Sequence, residues 1–581
     1  MKRCPECGRE YDNSMSFCLD DGAGLLYGPA SIDEPQTTIL SEPGAVAPAS
    51  PRAPTQGQFY TTDQTAIFPR GAEAESENKL HDASERQSLS AHRAIKPMIT
   101  FAFVIAVLLV GGFLGYRYFT AEGEQITSIA VLPFENRSGT ADTDYLSDGL
   151  AESLIYRLTQ LPGLKVSPTN AVMRYKGPQS DIAAVARDLD VDAVMSGRLT
   201  QRGDDLTISV ELTDARTNKL IWAEQYARKL SDLLATQREI ANAVTQKLQL
   251  KLSGNETALT KQYTNDNEAY QLYLKGRFYW NKRTPEAMRT AIEHFKAASE
   301  RDPNFALAYV GLADSHLVAI YNTRGSEKEQ ISTGKAYAVR ALEIDPSLAE
   351  AHASLGLAST YLWEWSESEK YLKRAIELNP NYASAHHWYS RRLRAEGRTD
   401  EGLEQIRRAR EADELSAPIS NNVAESLSEK GDLHGAIDEG RRGLGIAPSW
   451  FIYRTLAYAH LALGQKEEAL ANARKAGEAV GSGRRVRQVE GYVQAVFGNR
   501  DEAMKIAKEI EEEFAKGQAD GRDVAVVYAG LGDKDRVFEW LEKDFQRRST
   551  SLVELRMEVP FAPIRNDPRF KDLLKRVGLP E

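Results

Sequence analysis

A chain of 581 residues, 42% of them hydrophobic and 27% charged, has room for several separate cores and is too polar for a protein that crosses a bilayer many times. Its net charge of −10 supplies no broadly basic surface, so the composition gives no support to nucleic-acid binding. The three cysteines, Cys4, Cys7 and Cys18, all stand at the N-terminus, which excludes a disulfide framework for the rest.

Residues 1–27 read as a small metal knuckle. Cys4-Pro-Glu-Cys7-Gly is a tight turn that aims two thiolates at one ion. Phe17-Cys18-Leu-Asp-Asp21-Gly22 repeats the pattern, with Asp21 where a fourth cysteine would stand. Zinc takes four tetrahedral ligands, mostly thiolate and imidazole, and accepts carboxylate oxygen. Such an ion supplies folding energy that a segment this short cannot draw from a core. The segment resembles the short zinc ribbons that open many bacterial multidomain proteins. The resemblance implies zinc on Cys4, Cys7, Cys18 and Asp21, with Asp21 a harder and weaker ligand than cysteine. A degenerate ribbon that no longer holds metal, and a redox-active C-x-x-C pair, are the alternatives. Against the second, no thioredoxin-like helix start is visible.

Residues 28–97 carry Pro29, Pro35, Pro43, Pro48, Pro51, Pro54 and Pro69 among Ala, Ser, Thr, Gln and Gly, with no sustained apolar period. The expectation is a disordered linker. Residues 98–116, Met98 to Tyr116, hold no charged side chain. As a helix rising ~1.5 Å per residue the run would be about 28 Å long, the hydrocarbon thickness of a bilayer. Lys79, Arg86, Arg93 and Lys96 precede it, and of the twenty residues after it only Arg117 is basic. That asymmetry predicts a single-pass inner-membrane protein with residues 1–97 cytoplasmic and the rest extracytoplasmic.

From Thr127 the pattern becomes α/β, over residues 126–252. Ser128-Ile-Ala-Val-Leu-Pro-Phe134 reads as a strand. Leu146, Leu150, Leu154, Ile155, Leu158 and Leu161 recur at helical spacing, closed by Pro162-Gly163. Leu164 to Val166 is a second strand, and Asp181 to Leu189 a second helix. A hairpin follows, in which Leu206, Ile208, Val210 and Leu212 alternate with Thr207, Ser209 and Glu211. A strand Leu220 to Tyr226 and a helix Leu230 to Leu250 finish the unit. Asp142, Asp144 and Asp148 gather at a helix start, where helix capping is a simpler reading than metal or catalysis. Gly149 reads as a point of close packing. No histidine lies between His92 and His294, so a Ser-His-Asp arrangement inside this domain is excluded. The words SIAVLPFENRSG, DYLSDGLAESLIYRL, DAVMSGRL and LTDARTNKLIWAEQY resemble the α/β domain related to the amino-terminal domain of TolB. The resemblance implies a fold and an extracytoplasmic setting between a membrane span and helical repeats; it implies no activity.

Residues 266–545 repeat. Pro346 and Pro380 are 34 residues apart, and Pro448 follows after 68 more. A 34-residue period of paired helices is the tetratricopeptide signature. The clearest unit, Glu350 to Pro380, has Leu355-Gly356, Ser368, Leu372 and Ala375, small and large residues that let two antiparallel helices approach, with Pro380 ending the second. About eight hairpins are expected. Residues 546–581 form a capping segment ending in an amphipathic helix from Asn566 to Gly578. By analogy with this family, His387, Arg391, Arg394, Asn421 and Glu425 line the concave side, as a groove for a peptide or helix carrying carboxylates. His352 and His386 stand one unit apart, and with His434 they read as packing or surface residues.

The chain lacks G-x-x-x-x-G-K-[ST], H-E-x-x-H and the kinase motifs. The expected fold class is therefore multidomain: zinc ribbon, one transmembrane helix, α/β domain and all-α tetratricopeptide solenoid. The expected function is a non-enzymatic membrane scaffold that binds protein partners through the repeats, with no small-molecule substrate and no nucleic acid evident. The alternatives are a transmembrane receptor signalling to the ribbon and, more remotely, an enzyme acting through the α/β domain.

Overall fold

The computed structural model describes residues 126–580, apart from 139–142, 162, 178–180, 249–260, 283–284, 321–326 and 480–486, together with three two-residue strands near the N-terminus. The chain divides into two compact units, Met1–Phe103 and Val104–Glu581. In the first, β1 (Lys2–Arg3) pairs antiparallel with β2 (Glu10–Tyr11) and β3 (Leu26–Tyr27), placing Lys2 opposite both Tyr11 and Tyr27. Cys4, Cys7, Cys18 and Asp21 lie outside the described residues, as does the linker 28–97.

The expected inner-membrane placement is contradicted: among the described residues no helix is long and apolar enough to cross a membrane. The longest, Glu327–Ile344, has 18 residues and carries Glu327, Lys328, Glu329, Lys335, Arg340 and Glu343. That many charges cannot be left in hydrocarbon. The run 98–116 on which the placement rested lies outside the described residues.

The second unit opens with a six-stranded mixed sheet. Its strands are β4 (Ser128–Val131), β5 (Glu135–Asn136), β6 (Lys165–Val166), β7 (Ala193–Arg202), β8 (Asp205–Asp214) and β9 (Lys219–Lys229). The order is β6-β4-β7-β8-β9, with β5 beside β7. β4 runs parallel to β6 and β7, whereas β7, β8 and β9 form an antiparallel meander. All four residues of β4 are buried, as a central parallel strand demands. β8 alternates as expected, Leu206, Ile208, Val210 and Leu212 being almost wholly buried. Among the described residues four helices complete the domain: α1 (Asp144–Thr159), α2 (Thr169–Met173), α3 (Ile182–Leu189) and α4 (Leu233–Lys247). Asp181 caps α3 by accepting from the Ala183 amide at 3.0 Å. The helix expected over Leu230 to Leu250 starts as a 3-10 turn, Leu230–Asp232, before α4. α2 was not foreseen, five residues being too few to show a period.

Sixteen helices follow among the described residues and pair as eight antiparallel hairpins. They are α5 (Asn267–Asn281) with α6 (Pro285–Arg301), α7 (Ala306–Ala319) with α8 (Glu327–Ile344), α9 (Ala349–Tyr361) with α10 (Trp365–Leu378), and α11 (Ala383–Ala395) with α12 (Thr399–Ala412). Then come α13 (Ala417–Glu429) with α14 (Leu433–Ile446), α15 (Trp450–Ala462) with α16 (Lys466–Ala479), α17 (Arg487–Val496) with α18 (Arg500–Ala515), and α19 (Gly521–Leu531) with α20 (Lys534–Arg547). The result is a tetratricopeptide-like helical solenoid. Small residues set its helix spacing: a Cβ at Gly356 would lie 2.5 Å from Leu372 Cγ, and one at Gly276 would lie 2.6 Å from the Phe295 ring.

The α/β domain docks on the first hairpin through α1 and α5. A Cβ at Gly149 would come within 3.0 Å of Leu274, so this glycine serves close packing. Glu152 of α1 accepts from Arg277 Nε at 2.6 Å and Asn281 Nδ2 at 3.0 Å, and the Tyr270 hydroxyl sits 2.6 Å from Ser153 Oγ. Of the aspartates at the start of α1, Asp144 accepts from Asn136 at 2.7 Å and Asp148 pairs with Lys176 at 2.8 Å. Asp142 lies outside the described residues.

Candidate functional site: an arginine seat on the inner helices

The chain does not stop at the last hairpin. After α20, two 3-10 segments, Thr550–Glu554 and Val559–Ile564, lead to α21 (Pro568–Val577). Leu552, Leu555 and Phe561 are fully buried and Ile564 nearly so. This return segment runs back along the first helices of earlier hairpins. Thr550 Oγ1 donates to Glu327 at 2.7 Å, and the Trp365 indole donates to the Val577 carbonyl at 2.9 Å. The amphipathic helix expected at the C-terminus is present as α21. It pairs with α20 through Arg569–Asp535 and Arg576–Glu542, both 2.7 Å, and it also reaches the third hairpin.

The return segment carries two carboxylates onto a row of arginines. Glu554 pairs with Arg391 of α11 and accepts from Arg522 of α19 at 3.2 Å. Glu558 accepts from Arg522 at 2.7 Å and Arg454 of α15 at 3.2 Å. Arg454 also donates to Glu425 of α13 at 2.7 Å, and Glu425 accepts from Arg394 of α11 at 3.3 Å. Charges thus alternate in sign from Arg394 through Glu425, Arg454, Glu558, Arg522 and Glu554 to Arg391. Burial pushes the Glu425 carboxyl up, but Arg454 and Arg394 outweigh it and hold it below the ordinary range. In a largely dry site these pairs are strong only because each charge meets more than one partner.

The five residues expected to line a groove are brought together, in unequal roles. Arg391 meets the carboxylate of another segment, which belongs to the same chain. Arg394 is 2% exposed, its guanidinium held by Glu425, Glu429 and Asn422, so it faces no partner. Asn421 donates to Glu425 at 2.9 Å and accepts from Thr455 at 2.8 Å. His387 Nε2 lies 2.9 Å from Asn422 Nδ2, which as a donor requires a neutral imidazole. Burial, with Arg391 and Arg394 nearby, pushes His387 down to about 3, in agreement. Arg454 and Arg522 were not foreseen, although the signal exists. They stand 68 residues apart, the same position two repeats on, next to the expected inward position continued from His387 and Asn421 to Thr455. His386 is a packing residue, its ring nitrogens 2.9 Å from the Pro380 carbonyl and 2.7 Å from Gln405.

A family model for the second domain of HilA/YgeH-like transcriptional regulators matches residues 124–243, the span of the α/β domain. This match does not show the resemblance to the TolB amino-terminal domain. Among curated proteins, the chain is 32% identical over 244 residues to the putative adenylate cyclase 3 of Rhizobium meliloti, covering 42% of each chain. It is 25% identical over 286 residues to the transcriptional regulator HilA of Salmonella typhimurium, covering 48% of this chain and 49% of that one. The chain therefore spans about half the length of the curated relatives it matches. Among solved structures, Pseudomonas aeruginosa PilF aligns with 37% of this chain and 94% of its own at 19% identity and a TM-score of 0.30. PilW, a type IV pilus biogenesis factor, aligns with 46% of this chain and 98% of its own at 16% identity and a TM-score of 0.28.

Proposed function

We propose that this chain is a non-enzymatic interaction module of a regulatory protein, whose solenoid holds carboxylate-bearing polypeptide segments on its inner helices. The observation that carries the reading is the return segment itself: Arg391, Arg454 and Arg522 already hold Glu554 and Glu558. A surface that binds its own acidic segment has the chemistry to bind a partner's. The relatives support the regulatory part. One partial match is named for cyclase activity and another for transcriptional regulation, which favours a shared, non-catalytic portion. In this reading the N-terminal knuckle holds zinc through Cys4, Cys7, Cys18 and Asp21, and the α/β domain is a docking element for the first hairpin.

The test is capture of cellular proteins by the full chain and two variants. Glu554→Gln releases Arg391 from its internal carboxylate and is expected to raise capture of acidic partners. Arg391→Glu is expected to lower it. An identical captured set from all three chains contradicts the reading.

A further inference from the structure

β9 (Lys219–Lys229) ends the sheet order, and among the described residues no strand pairs with its outer edge. Its ladder with β8 is regular from Trp222 to Lys229, the register shift standing beside its N-terminal end at Leu212/Thr213. Of the devices that blunt a sheet edge, this stretch lacks proline, a bulge and shortness, and its charges are Glu224, Arg228 and Lys229. The ladder bonds tell which groups point outward. The Ala215 amide donates to the Asp192 carbonyl at 2.8 Å, and the Leu230 amide to the Asp204 carbonyl at 2.8 Å. Both continue the strand registers, so odd-numbered residues of β8 bond to β7 and even-numbered ones to β9. In β9, Trp222, Glu224, Tyr226 and Arg228 therefore turn their amides and carbonyls to β8. Ala223, Gln225, Ala227 and Lys229 turn theirs outward, and all four are exposed. The Ala227 carbonyl accepts from the neighbouring Arg228 guanidinium at 3.1 Å.

The charges on this edge are placed symmetrically. Glu224 and Arg228 are exposed, stand two residues either side of Tyr226 and share its face of the strand. The Tyr226 hydroxyl donates to Glu224 at 3.0 Å, and Arg228 donates to Glu239 of α4 at 3.1 Å. We propose that β9 pairs antiparallel with β9 of a second copy of this chain, across a twofold axis at Tyr226. Outward groups then meet outward groups. Ala223 faces the second copy's Lys229 and Gln225 the second copy's Ala227, each twice by symmetry, which gives about eight interchain hydrogen bonds. The Gln225 amide replaces Arg228 on the Ala227 carbonyl. Glu224 of each copy lies opposite Arg228 of the other, and opposite charges directly across a strand pair stabilise it whereas like charges destabilise it. An axis at Gln225 or Ala227 keeps the hydrogen bonding but brings no opposite charges together, and an axis at Glu224 sets glutamate against glutamate. Charges balanced on one residue suit a self-complementary pair, and a foreign strand has no need of them. The sheet's other end, β6, is two residues long, too short to carry the assembly past two copies. This edge is separate from the arginine row, so either proposal can fail alone.

The test is sedimentation equilibrium of the full chain and its variants. The wild type is expected to be dimeric at roughly 100 μM. Gln225→Pro removes an outward amide and no bond to β8, so it is expected to weaken the dimer by about tenfold or more with the far-ultraviolet circular dichroism unchanged. Glu224→Arg and Arg228→Glu each set like charges across the axis twice, and each is expected to weaken the dimer by about tenfold or more. Mixed in equal amounts, these two chains match opposite charges at both positions and are expected to form a mixed dimer. The double variant E224R/R228E is expected to dimerise with itself. Such complementation cannot come from misfolding of either chain, and it decides the matter should Gln225→Pro fail to fold. A wild-type chain that stays monomeric, including one that takes another protein's strand on this edge, overturns the proposal. So does a dimer unchanged in a folded Gln225→Pro chain, or failure of the two charge-reversed chains to pair.

Discussion

Trp363 and Phe545 stack with ring centroids 5.8 Å apart, joining the turn of the third hairpin to the second helix of the eighth. At the corresponding turns of later hairpins stand Gly397, Gly431, Gly464, Gly498 and Gly532, all with positive φ. Trp363 takes the same left-handed conformation, at φ +63°, without being glycine. A bulky residue there is strained, by roughly 1 kcal/mol or more. The ring it places against Phe545 offsets that strain.

This gives an unusual order of stability. Trp363→Gly removes the ring and the strain together, whereas Trp363→Ala removes the ring and keeps most of the strain. Thermal unfolding should rank the chains wild type, Trp363→Gly, Trp363→Ala. The wild type should exceed Trp363→Ala by about 2–4 kcal/mol, and the two variants should differ by roughly 1 kcal/mol.

Glu558 is 6% exposed and receives two guanidinium groups. Glu558→Gln leaves Arg454 and Arg522 short of one buried countercharge. Removing one member of such a network typically costs about 3–5 kcal/mol. Denaturant unfolding should show a loss of that order, and limited proteolysis should then cut first in residues 549–567.

Glu350 supplies a pH dependence of definite sign. Its folded value of about 7 lies above its ordinary 4.5, through burial first and Asp314 second. Below pH ~4.5 the group is protonated in both states and costs nothing. Between about 4.5 and 7 the folded chain holds a proton that the unfolded chain has lost, so this group's contribution to stability falls as pH rises, and it is level above 7. Glu350→Gln should flatten that slope. Across the window the difference between wild type and variant should change by on the order of 3 kcal/mol, read from denaturation midpoints at a series of pH values.

Asp544 is 1% exposed and closes the start of α19 from a neighbouring helix. It accepts from the Gly521 amide at 2.6 Å, the Arg522 amide at 2.7 Å and Ser551 Oγ at 2.8 Å. Asp544→Ala strands two buried amides at a helix N-terminus, and the expected loss is about 2–4 kcal/mol. Hydrogen exchange of residues 521–524 should speed up more than that of α15.

The repeats were legible because their cause is local and periodic. Leu355, Gly356, Ala375 and Pro380 recur at fixed spacing since every hairpin solves the same packing problem. The α/β sheet was legible from the alternation of Leu206, Ile208, Val210 and Leu212. The return segment was not. Leu552, Phe561 and Ile564 sit in two 3-10 turns and Leu555 directly after the first, with no sustained period, and their partners lie far back in the sequence. For the same reason Arg391 and Arg394, three residues apart on one helix, look equivalent in the sequence. In the structure one meets the return segment, and the other is enclosed by Glu425 and Glu429. The ionic row depends on how four helices stack, which spacing alone does not fix.

The most direct test of a solenoid whose arginine row holds the chain's own acidic segment is amide hydrogen exchange over residues 551–565 of the full chain, followed by mass spectrometry. The account predicts protection approaching that of Gly521–Leu531, lost selectively in Glu558→Gln. Exchange at the rate of an unstructured peptide in the wild-type chain would contradict it.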